Sequence, residues 1–212
     1  MLFRSLKSIA EGEIRIGASD SLIKHLLLPK LNAFHARHPG VRIRLSHGRT
    51  PDIAARLKDG KVDLALVHLP LDDPMLDVRE LTVQEGCFVA GERFFDLASR
   101  PLEARELASM PLILLSPGSS TRTFVERWFA AKGLSAAPDI ELGSVDLLIE
   151  FAKQGYGVAY VARAFVEAEL ASGRLAELKP AETLPPQRIG VAVRRGMRLS
   201  LAAERFAATL TP

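Results

Sequence analysis

The sequence predicts an α/β protein of two lobes, each a parallel sheet with helices packed on it. Short apolar strands alternate with amphipathic helices, the connections between them are brief, and the same element order occurs twice along the 212 residues.

In the first set, Ile14 and Ile16, then Val41, Ile43 and Leu45, alternate as expected of strands with one buried face. Between them Leu27, Leu31 and Phe34 recur at helical spacing, and Pro39-Gly40 stops the helix. Pro29 lies inside that segment and predicts an irregular or kinked first turn. Thr50-Pro51-Asp52 reads as a helix start with Thr50 as the capping hydroxyl, and Ile53, Ala54 and Leu57 follow before Gly60. Val62 to Leu69 is nearly continuous in apolar residues, as in a parallel strand covered on both faces.

The second set begins with a strand at Pro111 to Leu115 and a helix at Ser119 to Lys132, whose inner face carries Phe124, Trp128 and Phe129. Thr123 and Glu126 have the spacing of a capping box. Ile140 to Leu142 is a strand, Ser144 caps a helix running to Lys153, and Gly155 ends it before a strand at Gly157 to Val161. Leu147, Leu148, Ile149 and Phe151 surround that helix and predict deep burial. Leu81 to Phe94 is strand-like and placed to cross between lobes. Ile189, Val191 and Val193 form one more strand, followed by an amphipathic helix from Leu199 to Leu210.

The net charge is +3, from 28 Lys and Arg against 25 Asp and Glu, and the basic residues are dispersed. Their densest groupings are short: Arg42 with Arg44, and Arg194, Arg195 and Arg198. A nucleic-acid surface needs a clustered basic patch, so this segment is not expected to bind DNA directly. Cys87 is the single cysteine, which excludes an intrachain disulfide, and its apolar neighbours predict a buried thiol. The first residues lack the apolar core of a signal peptide, and no run of about eighteen apolar residues occurs, so the chain is expected to be soluble and cytoplasmic.

Four strand ends deliver small polar residues to helix N-termini: Ser19-Asp20-Ser21, Gly48-Arg49-Thr50, Ser116-Pro117-Gly118-Ser119-Ser120 and Gly143-Ser144. In open α/β sheets ligands bind beyond the carboxyl ends of the strands. Helix N-termini there present unpaired N–H groups and partial positive charge, which suit a carboxylate or similar anion. The candidate ligand-binding residues are therefore Ser19, Ser21, Thr50, His68, Ser116, Ser119 and Ser144, with Arg49 and Arg122 nearby. Each hydroxyl taken alone also reads as a plain helix cap. His68, at the end of a buried strand, reads equally as a donor to an anion or as a hinge side chain bonded to backbone. His25, His35 and His38 lack a nearby carboxylate or cysteine partner, so no metal site is expected. No cofactor is expected either.

Enzyme motifs fail their context. Gly155-Tyr156-Gly157 follows a helix and precedes a strand, the reverse of a dinucleotide-binding turn. The loop at Ser116 lacks the Gly-x-Ser-x-Gly elbow, and no phosphate-binding loop, zinc motif or catalytic residue is identified.

In order and spacing, residues 12 to about 210 resemble the effector-binding domain of LysR-type transcriptional regulators. The resemblance rests on Gly12-Glu13-Ile14-Arg15-Ile16-Gly17, Leu27-Leu28-Pro29 with Phe34 and Pro39, and Val62-Asp63-Leu64-Ala65-Leu66. In the second lobe it rests on Pro111-Leu112-Ile113, Arg122 with Trp128-Phe129, and Gly155-Tyr156-Gly157-Val158-Ala159. It implies two Rossmann-like lobes joined by two crossover strands, like a type 2 periplasmic binding protein, with a small-molecule effector between them. The implied division is a remnant of a linker helix at 1–11, a first lobe of 12–85 plus 188–212, and a second lobe of 86–187. It implies further a non-enzymatic sensor that forms a homodimer or homotetramer and reaches DNA only through an N-terminal helix-turn-helix domain outside this sequence. By the resemblance Ser21 and Thr50 match first-lobe ligand contacts, His68 falls at a polar hinge contact, and Ser116 to Ser119 match the facing loop of the second lobe. Two other classes share the architecture: a solute-binding protein of a transport system, which an export signal would mark, and a small enzyme, which would need a positioned acid, base or nucleophile.

Overall fold

The computed structural model describes residues 11–210. The described residues divide into two compact units, one of residues 11–82 together with 188–210, the other Val83–Gln187. The expected linker-helix remnant lies outside the described residues except for residue 11.

In chain order the elements are β1 (Gly12–Ala18), α1 (Asp20–Leu22), a π-helical segment (Ile23–Leu27), α2 (Leu28–Arg37), β2 (Val41–His47), α3 (Thr50–Lys58), β3 (Leu64–His68) and β4 (Leu76–Gln84). The second unit adds β5 (Gly86–Ala90), a 3-10 segment (Glu92–Ser99), α4 (Ala104–Ala108), β6 (Leu112–Leu115), α5 (Ser120–Ala130), β7 (Pro138–Leu142), α6 (Val145–Lys153), β8 (Val158–Ala162), α7 (Glu167–Ala171) and β9 (Ala176–Leu178). The chain then returns through β10 (Gln187–Arg194) to α8 (Leu201–Thr209).

Each unit has its own five-stranded sheet, ordered β2-β1-β3-β10-β4 and β7-β6-β8-β5-β9. β1 runs parallel to β2 and β3, and β6 runs parallel to β7 and β8. The strand that completes each centre comes from elsewhere in the sequence and is antiparallel: β10 against β3, and β5 against β8. Both sheets are thus mixed, although their three-strand βαβαβ portions are parallel as the sequence predicts.

β3 from Leu64 to Val67 and β8 are buried on both faces because each face meets a different helical layer. Along β3, Leu64 and Leu66 enter a core with Leu31 and Phe34 of α2 and Phe206 of α8, while Ala65 and Val67 enter one with Ile53 and Leu57 of α3. Phe34 and Phe206 meet edge to face, their centroids 5.3 Å apart. Along β8, Val158 and Tyr160 pack with Trp128 and Phe129 of α5, and Ala159 and Val161 with Leu148, Ile149 and Ala152 of α6. Gly17 permits one of these layers to close, since a β-carbon there would lie 2.7 Å from Cγ2 of Ile53.

Several local readings need correction. Pro29 sits in the first turn of α2, and the irregularity it signals is the π-helical segment just before it. Thr50 does not cap α3: Arg49 holds the cap position, and the Thr50 hydroxyl accepts from a neighbouring strand instead. The capping box at Thr123 and Glu126 does not form, because α5 starts earlier, on Ser119, whose hydroxyl accepts from the Arg122 N–H, and Glu126 binds the Arg122 guanidinium. Leu148 and Ile149 are buried, but Leu147 is half exposed, since α6 covers the sheet with one face only. The stretch from Leu81 to Phe94 is two strands broken at Glu85, and the ordered pairing ends at Ala90 before the 3-10 segment.

Candidate ligand-binding site

In the first unit, adjacent strands β2, β1 and β3 end beside one another. Ala18 is in register with His47, and the Gly48 N–H donates to the Ala18 carbonyl at 3.1 Å. Beyond β1 the chain enters a helical run over 20–37 at Ser19, whose hydroxyl accepts from the Leu22 N–H at 3.4 Å and lies 3.2 Å from the Ser21 hydroxyl. Beyond β2 it enters α3 at Thr50, whose hydroxyl oxygen accepts the backbone N–H of His68 at 3.3 Å, at the end of β3. Ser19, Ser21, Thr50 and His68, which lie far apart in sequence, are thus gathered on one rim, and all four are half-buried rather than sealed.

Two features set the chemistry of this rim. Burial lowers the His68 imidazole from its ordinary 6.5 to about 4, so it is neutral at physiological pH. Its Nδ1 is buried without a hydrogen-bond partner, and a buried polar atom left unpaired costs about 1–3 kcal/mol. Of the charged groups on this rim, Arg49 is engaged by Asp52, its Nε donating at 3.0 Å. An anion here would be held mainly by hydroxyls and helix N–H groups.

The second unit has a rim of the same plan. Its adjacent strands β6 and β7 end at Leu115 and Leu142, and the Ser116 N–H donates to the Leu142 carbonyl at 2.8 Å. Ser116 is exposed, Ser119 caps α5 and Ser144 occupies the cap position of α6 without a side-chain cap bond. The structure brings Ser116, Ser119 and Ser144 together at these two neighbouring strand ends.

Arg122 differs from its expected role as a nearby cation for the ligand. It is buried at 7% exposure, with Nε donating to Glu126 at 2.5 Å and one Nη donating to the Leu115 carbonyl at 3.0 Å and to Glu141 at 3.1 Å. Glu126 and Glu141 were not legible as its partners, although the four-residue spacing from Arg122 to Glu126 was the available signal. Elsewhere, burial pushes the Cys87 thiol up to about 11, which leaves it an unreactive core group. Among the described residues no group of three or more His, Cys, Asp and Glu side chains is arranged to hold a metal. Also among them, no helix is long and apolar enough to cross a membrane.

Two helix-flanked sheets, each presenting hydroxyls at its strand ends, are the features that comparison with known proteins can place. Residues 8–212 match the LysR substrate binding domain. The chain belongs to that family. It is a LysR-type effector-binding domain. The HTH-type transcriptional regulator CfxR of Cupriavidus necator is 30% identical over 98% of this chain and 65% of its own length. A protein of Anaeromyxobacter dehalogenans named as the phosphonates import ATP-binding protein PhnC is 32% identical over 92% of this chain, a match that takes in 40% of that protein. The chain therefore spans less than two thirds of both relatives.

Among solved structures, the cofactor-binding domain of the Cbl transcriptional regulator superposes on this LysR-type domain with a TM-score of 0.85 at 22% identity, covering 98% of this chain and 91% of the other. The CcmR regulatory domain of Synechocystis in complex with 2-PG gives 0.84 at 23% identity over 94% and 96%. The BenM effector binding domain with its effector benzoate gives 0.77 at 23% identity over 95% and 91%. At these identities the likeness establishes the fold.

Proposed function

We propose that this LysR-type domain recognises a small anion and that, within a longer regulator, binding adjusts transcription through a separate DNA-binding part. The observation that carries the reading is the first-unit rim. There the paired hydroxyls of Ser19 and Ser21, the Thr50 hydroxyl and the unpartnered His68 Nδ1 lie at the ends of adjacent strands, beside the N-termini of two helices. Ser116, Ser119 and Ser144 supply a second set of donors on the other unit. CcmR with 2-PG and BenM with benzoate support an anionic ligand, since each of those proteins was solved with one.

The regulatory step is a population shift. A ligand that binds one arrangement of the protein more tightly moves the equilibrium by its differential affinity and no further. The domain acts without catalysis, a reading supported by relatives named as transcriptional regulators, and it works in the cytoplasm as a homodimer or homotetramer. A thermal-shift screen of benzoate, shikimate, inorganic phosphate, sulfate and 2-PG against neutral apolar compounds tests the reading. Stabilisation by at least one anion is expected, by about 2.7 kcal/mol at a hundredfold excess over Kd. Stabilisation by the neutral apolar compounds alone would defeat it.

A further inference from the structure

We propose that Arg122 is a positioning residue that fixes the 116–119 loop and so keeps its hydroxyls and the α5 N-terminus presented for ligand. The inference rests on the reading of that loop as part of the binding site. Ser116, Pro117 and Gly118 are exposed and lie outside the hydrophobic cores, and Gly118 adopts a φ of +84°. Within the loop the Ser116 N–H donates to the Leu142 carbonyl at 2.8 Å and the Ser119 N–H to the Ser116 carbonyl at 3.2 Å. The Arg122 side chain adds an anchor at the entrance, and its main chain sits at the exit. At the entrance, one Nη donates to the carbonyl of Leu115, the last residue of β6. At the exit, its backbone N–H donates to the hydroxyl of Ser119 at 3.4 Å.

The guanidinium in turn is held from two further elements, by Glu141 on β7 and Glu126 one turn along α5. This arrangement uses the planar fork of arginine, which reaches acceptors on separate edges at once; a lysine ammonium is a single point and cannot span them. The carboxylates stand nearly half exposed while the guanidinium is buried. Their attraction is therefore directed inward at a fixed cation, and the Arg122 charge is engaged by Glu126 and Glu141. Anion recognition at this loop is thus by hydroxyl and backbone N–H, with Arg122 acting through them.

Amide hydrogen exchange on the full chain, without ligand, tests this in Arg122→Lys. The expected result is exchange at least tenfold faster at the Ser116 and Ser119 amides, with the Val125 to Phe129 amides of α5 unchanged within twofold. Unchanged exchange at Ser116 and Ser119 would overturn the proposal, and so would equal acceleration along α5, which marks a general stabiliser. If Arg122→Lys does not fold, Glu141→Ala removes one acceptor of the guanidinium at a half-exposed position and must give the same local pattern, its absence again overturning the proposal. Because no ligand is present, failure of the anion reading leaves this measurement intact, and its failure leaves the first-unit rim untouched.

Discussion

Thr50 turns its hydroxyl away from its own helix and toward the end of a neighbouring strand, where it accepts the His68 N–H. That bond ties the start of α3 to β3, so the two groups form one surface. Thr50→Val keeps the shape and removes the acceptor. The expected loss is about 1–3 kcal/mol of unfolding free energy, from a half-buried N–H left unpaired, measured by urea denaturation. His68 itself sets a pH window. Its folded pKa of about 4 lies below the ordinary 6.5, so above pH 6.5 the imidazole is neutral in both states and its burial carries no protonation penalty. As the pH falls from 6.5 toward 4 the unfolded chain takes up a proton that the folded chain refuses, and stability is lost. Between pH 7.5 and 5 the native chain is expected to lose about 2 kcal/mol more than His68→Asn. Equal losses in urea titrations of the two proteins would remove burial as the cause.

At the scale of elements, β1 and β3 are joined by more than two rungs of parallel pairing. Asp63, just before β3, accepts the Arg15 N–H at 2.8 Å and an Arg15 Nη at 2.6 Å, while the other Nη reaches the Gly60 carbonyl at 2.8 Å. Asp63→Ala is expected to cost about 1.5–3 kcal/mol, the range for hydrogen bonds to a charged group, read as a lower urea midpoint at unchanged slope. Elements of this kind were legible where burial was extreme or one-sided. Val62 to Leu69 announced β3 because two helical layers cover it, and α2, α5 and α8 carried a single apolar stripe. The 3-10 segment, α4, α7 and β9 were missed because they are short and carry few buried residues, which leaves no period to detect. The antiparallel direction of β5 and β10 was also hidden, since the side-chain alternation of a strand reads the same in either direction. At the rims, hydroxyl positions were legible from strand-to-helix junctions, whereas the partners of Thr50 and Arg122 depend on which strands lie side by side.

At the scale of the whole molecule, two sheets with the same βαβαβ plan each carry hydroxyls at their strand ends, and family membership accounts for both. The dispersed charge, +3 over 212 residues, supplies no strong single-sign field for steering a ligand. The account stands or falls on whether the first-unit rim holds an anion. Backbone amide NMR of the chain titrated separately with 2-PG, benzoate and inorganic phosphate reads this directly. At least one of the three should produce saturable shifts at the amides of Ser21, Leu22, Ile53 and His68. Titrations that leave all four amides unmoved, while shifts collect elsewhere or nowhere, would contradict it.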